Sequence, residues 1–76
     1  MRRKALTLEN RNDYNIVVHL FADGTERVEE VAAYGVTTMF QLDKETEYTL
    51  GCHADVPEGT EIELFVYDGA GNVLSD

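Results

Sequence analysis

Runs of alternating apolar and polar residues recur along this chain, and a period of two is the pattern of strands with one buried face. In YNIVVHLF, residues 14–21, Tyr14, Ile16, Val18 and Leu20 share a side. VTTMFQL, residues 36–42, sets Val36, Thr38, Phe40 and Leu42 inward, and EYTLGCHA, residues 47–54, does the same for Tyr48, Leu50, Cys52 and Ala54. TEIELFVYD, residues 60–68, adds Ile62, Leu64 and Val66. Two weaker segments flank these: KALTLE at 4–9, with Leu6 and Leu8 inward, and a terminal NVLS at 72–75.

The connections suit strands. ADGT at 22–25 carries Asp-Gly, a strong hairpin signal, because both residues tolerate the positive φ of a two-residue turn. LDKET at 42–46 is a polar corner, DVPEGT at 55–60 a Pro/Gly loop, and DGAGN at 68–72 a Gly-rich turn. ERVEEVAAY, residues 26–34, can be drawn as two helical turns with Val28, Val31 and Ala32 together. Gly24 and Gly35 bracket it so closely that a strand of about six residues, with Glu and Arg outward, fits better. The expected fold is all-β: a single domain over 1–76, built as a small sandwich of six to seven short antiparallel strands. With 76 residues, the core is thin and net stability amounts to about a few kcal/mol. A binding surface suits such a body better than a large internal pocket.

The stretch VTTMFQLDKETEYTLGCHA, residues 36–54, resembles the E strand, corner and F strand of a fibronectin type III or related immunoglobulin-like domain. Leu42, Thr46, Tyr48, Leu50, Cys52 and Ala54 occupy the matching places. The resemblance implies a tyrosine corner: the ring of Tyr48 packs inside while its hydroxyl bonds backbone near Leu42 to Lys44. Lys44 stands where the family usually has proline, and the chain has no Trp, so a trimmed or variant sandwich is implied. The family supplies no catalytic residues, and its loops bind many unrelated partners, so the fold does not carry a function.

Charge is distributed unevenly. Residues 1–12 hold Arg2, Arg3, Lys4 and Arg11 against Glu9, a balance of +3, whereas residues 13–76 hold Arg27 and Lys44 against fourteen carboxylates, a balance of −12. Such a body repels phosphate backbones, so direct nucleic-acid binding is not expected. A basic protein, including one that itself binds nucleic acid, is the partner this charge attracts; solubility alone is the plainer reason for it. One cysteine permits no internal disulfide, and neither a signal peptide nor a membrane span is visible, so a cytoplasmic location without membrane contact is expected. The opening Met favours a whole protein over an excised domain.

LGCHADVPEGTE, residues 50–61, concentrates reactive residue types, but neighbours on a strand point to opposite faces. Cys52 is therefore expected to be a small buried hydrophobe that cannot act jointly with His53. His53 and Asp55 share a face and can hydrogen-bond. His19 joins them as a third metal ligand only if its strand is adjacent, and two ligands make a poor zinc site, so no metal site is expected. DGAGN lacks the remaining ligands of a calcium loop. No phosphate loop, nucleophile–base pair or cofactor motif stands out, and neither enzymatic activity nor a cofactor is expected.

The outward positions are the informative ones. Phe65 and Tyr67, with Val17, Phe21 and Met39, alternate away from the core set, and exposed aromatics are enriched at protein contacts. The leading expectation is a non-enzymatic acidic module that binds a protein through this apolar face, rimmed by Glu61, Glu63 and Asp68. The plainer alternative packs part of this set beneath the N-terminal segment or a loop, or closes the sheet into a barrel. Two other classes fit the same chain. One is an acidic inhibitor, of the type phages use against host nucleases, that mimics nucleic acid to block a basic groove. The other is a structural module that forms homo-oligomers through its edge strands.

Overall fold

The computed structural model describes residues 3–43 and 47–75, with side chains from 5 to 38 and from 47 to 74. Within these residues there are seven strands and no helix: β1 (Arg3–Asn10), β2 (Ile16–Ala22), β3 (Thr25–Val31), β4 (Val36–Asp43), β5 (Tyr48–His53), β6 (Leu64–Tyr67) and β7 (Val73–Ser75). They form two antiparallel sheets, one of four strands in the order β4-β1-β6-β7 and one of three in the order β3-β2-β5. No helix among the described residues is long and apolar enough to cross a membrane.

The sheets meet over a small core. Leu6, Leu8 and Val66 come from the four-stranded sheet, and Ile16, Val18, Leu20 and Val31 from the three-stranded one; all are buried. Tyr14, Tyr48, Leu50, Ala54, Ile62 and Leu64 pack around them, as the alternation of these segments predicts. KALTLE, weak as a sequence signal, is part of a central strand: β1 is paired on both edges, with β4 and with β6. Leu6 and Leu8 therefore lie in the middle of the core.

Residues 25–31 are a strand, and the Asp-Gly turn before it is a two-residue hairpin loop with φ of 51° at Asp23 and 70° at Gly24. The outward placement expected for its charges holds for only half of them. Arg27 pairs with Leu20 and Glu29 with Val18, both core residues, while Val28 pairs with His19 on the outer face and is 55% exposed. Charged residues on the core side of an edge strand deter a further strand from adding there.

The expected orientation of residues 36–42 needs correction. Val36 pairs with outward Glu9 and is 63% exposed, Thr38 pairs with Thr7, and Thr37 lies opposite buried Leu8. Val36 and Thr38 thus belong to the outer face. The register then slips by one residue between the pairs Leu6–Met39 and Lys4–Leu42. An extra residue in one strand breaks the alternation, so a single period of two cannot run through the segment. The side chains of Met39, Phe40 and Leu42 lie outside the described residues, as does the whole of Lys44 to Thr46, which takes with it part of the stretch expected to accept from the Tyr48 hydroxyl.

β4 and β5 belong to different sheets, as the E and F strands of immunoglobulin-like domains do. β6 then joins β1. In immunoglobulin-like domains the strand after F stays beside F.

A buried polar knot closes one end of the core. The Asn10 side-chain amide donates toward the carbonyls of Tyr14, Val31 and Ala32, at 2.8, 3.0 and 3.0 Å. Its Oδ1 accepts from both the backbone N–H and the Nδ2 of Asn12. Asn12 in turn donates to the Glu63 carbonyl and accepts from the Glu63 N–H and the Tyr14 hydroxyl. Two asparagines thereby tie β1, the start of β2, the end of β3 and the approach to β6 together.

Candidate binding surfaces

Phe65 and Tyr67 point away from the core on β6, as their alternation predicts, and the register lays out their surroundings. Glu9 lies between Val36 and Phe65, and Thr7 between Thr38 and Tyr67, with Val73 beyond Tyr67. The Phe65 and Tyr67 rings stack with centroids 6.5 Å apart. Arg11 folds back over them, its guanidinium carbon 3.8 Å from the Phe65 centroid. Arg11 also reaches both Glu9 carboxylate oxygens, at 3.1 and 3.3 Å, and the Tyr67 hydroxyl. Tyr67 donates to Glu9 Oε1 at 2.6 Å.

These contacts bias the charges. Hydrogen bonds from Arg11 and then Tyr67 hold the Glu9 carboxyl below the usual carboxylate range. The bond to Glu9 raises the Tyr67 phenol and the Arg11 guanidinium in turn. The outer face of the four-stranded sheet is therefore a half-buried aromatic pair clasped by an ion pair, with Val36 and Val73 exposed at 63% and 56% beside it.

Of the expected rim, Glu61 and Glu63 are exposed in the stretch before β6, where their backbones hold Tyr14 and Asn12. Asp68 is engaged in the hairpin turn. Its carboxylate accepts from the N–H groups of Ala70 and Asn72 and from the Asn72 amide. The backbone bond to Asn72, followed by the side-chain one, lowers its pKa. DGAGN is thus a turn held by an aspartate, as expected.

Val17 and Phe21 lie elsewhere. They alternate outward on β2, on the opposite surface of the molecule from Phe65 and Tyr67, so the single apolar face expected from alternation is two faces. Phe21, 47% exposed, stacks with His19 at 6.3 Å. Because β2 and β5 are neighbours, His19 and His53 meet, with His19 Nε2 3.1 Å from His53 Nδ1. Glu26 Oε2 stands 2.7 Å from His19 Nδ1. Asp55 lines an open pocket of about 380 Å³ with His53, Val17 and Glu30, but His53 has His19 as its hydrogen-bond partner. Among the described residues no three His, Cys, Asp or Glu side chains are grouped to hold a metal ion.

Cys52 also differs from expectation. Its register partner is core residue Val18, yet it is exposed, because β5 is the outer strand of its sheet. Partial burial still pushes its thiol pKa upward, which reduces the thiolate needed for reactivity. Two features were missed from sequence: Arg11 as the cover of Phe65, and the Asn10–Asn12 knot. Their only signal is the polar cluster ENRND at 9–13, which reads as an ordinary loop.

Comparison of the chain with protein-family models, with curated proteins and with solved structures finds no match.

Proposed function

We propose that this protein is a non-enzymatic binding module, a variant of the immunoglobulin-like sandwich, that engages a basic protein through the outer face of its four-stranded sheet. The observation that carries this reading is the set Phe65, Tyr67, Val36 and Val73, gathered on one surface by the register of β4, β1, β6 and β7. Aromatic side chains supply large, rigid contact area, and aromatic residues and Arg are both enriched in interface cores. The net charge of −9, with Glu61 and Glu63 nearby, steers a cationic partner toward the face and selects against acidic ones.

The test is capture of a partner from lysate by the tagged protein and by Phe65→Ala in parallel, with washes at low and high salt. The reading predicts a basic partner that stays at high salt with the wild type and is lost with a folded Phe65→Ala. A partner released from both by salt alone would replace this reading with an electrostatic one, in which exposed carboxylates act as a nucleic-acid mimic.

A further inference from the structure

The opposite surface carries a separate arrangement. His19 Nε2 and His53 Nδ1 face each other at 3.1 Å. At metal–nitrogen distances of about 2.0–2.1 Å, two imidazoles on one ion stand about 2.9–3.4 Å apart. The pair is thus spaced for chelation without a change of strand register. The other His19 nitrogen is held by Glu26 at 2.7 Å, the carboxylate–histidine contact that fixes the orientation of a ligating ring. The Phe21 ring lies nearly parallel to that of His19, with centroids 6.3 Å apart.

Space and charge agree with this. The residue opposite His19 on β5 is Gly51, and nothing lies within 4 Å of where a Cβ would stand there. An ion beside His19 therefore has room for solvent ligands. The described strand residues on this surface include Glu26 and Glu30, with no Lys or Arg, and Asp55 stands beside His53. The geometry points to a surface site for a divalent transition-metal ion, chelated by His19 Nε2 and His53 Nδ1, with Glu26 as the positioning residue and water in the remaining positions. In the neutral pair, binding moves the one hydrogen held between the rings to His53 Nε2, so both facing lone pairs reach the metal and no net proton is lost. Imidazole ligation favours Cu²⁺ over Ni²⁺ and Zn²⁺.

The test uses the intact protein and the metal alone. Cu²⁺ is titrated while NMR line broadening is mapped, and Zn²⁺ affinity is measured by calorimetry. Broadening should centre on His19, His53 and Gly51. His53→Ala should weaken binding by about tenfold or more through loss of chelation. Glu26→Gln should weaken it by about tenfold through loss of ring positioning, and Cys52→Ser should leave it unchanged. Broadening centred on Cys52 or on carboxylates away from β2 and β5, equal affinity in His53→Ala, or no binding at millimolar metal would overturn the site. The wild-type broadening map decides the matter even where a variant folds poorly.

Discussion

Arg11 lies over the ring of Phe65, 3.8 Å from its centroid, while the same guanidinium grips Glu9, the residue paired with Phe65 across β1 and β6. The aromatic pair is therefore covered by a movable side chain rather than by fixed backbone, and a partner can displace that cover. Arg11→Ala should leave the fold intact, since surface ion pairs contribute little, and should let the Glu9 carboxyl titrate closer to its ordinary range. Carbon-detected NMR of the glutamate carboxyls reads this shift; an unchanged Glu9 would mean that Tyr67 alone holds it.

Phe65→Ala should cost about 1–2 kcal/mol of stability, the value of a half-buried aromatic side chain, and leave a folded domain. Urea unfolding measures it. Outright unfolding would place Phe65 in the core and remove it from the proposed contact surface.

Asn10→Ala should be far more damaging. It removes the amide that serves three carbonyls and the oxygen that accepts from Asn12, and each buried polar group left unpaired costs about 1–3 kcal/mol. Against a net stability of about a few kcal/mol for a chain of this size, the variant should be largely unfolded at room temperature by circular dichroism. Retention of a cooperative transition close to that of the wild type would show that solvent replaces the knot.

Stability should fall at both extremes of pH. Glu9 and Asp68 have lowered pKa values in the fold, so their contribution is present above the ordinary carboxylate range and is lost as pH falls through the lowered values. Tyr67 is raised, so its contribution is present below the ordinary phenol range and disappears as pH rises through the raised value. Melting curves of Asp68→Asn should show a shallower acid decline than the wild type, and those of Tyr67→Phe a shallower alkaline one. Parallel curves for variant and wild type would contradict these assignments.

Tyr34 holds φ at 57° and is 71% exposed. A left-handed conformation costs a non-glycine residue about 1–2 kcal/mol, offset in part by the greater unfolded-state freedom of glycine. Tyr34→Gly should therefore raise stability by up to about 1 kcal/mol in urea unfolding. A loss instead would show that the exposed ring makes a contact worth more than the strain.

The alternation of β2, β5 and β6 was legible in the sequence because β2 and β5 keep one register throughout their pairing and β6 keeps one against β1, its slip falling on the β7 side. The parity of side chains there reads directly as burial. β4 was not legible, because its one-residue slip opposite Lys4 and Leu6 leaves no mark in composition. The aromatic surface was half legible. Outward parity identified Phe65, Tyr67, Val17 and Phe21, but parity is blind to which sheet a strand joins, and that choice separates the first two from the last two. The meeting of His19 and His53 depends on the same choice, since only the pairing of β2 with β5 brings them together. Cys52 shows the remaining limit: inward parity gives burial only where a neighbouring strand covers the position.

The most direct test of the proposed binding surface is site-specific photocrosslinking. A photoreactive residue is placed at Val36 or Val73 on one face and at Val28 on the other, each exposed and outside the core. The account predicts crosslinks to a captured basic partner from Val36 and Val73 and none from Val28. Crosslinks from Val28 alone would transfer the interaction to the three-stranded sheet and contradict it.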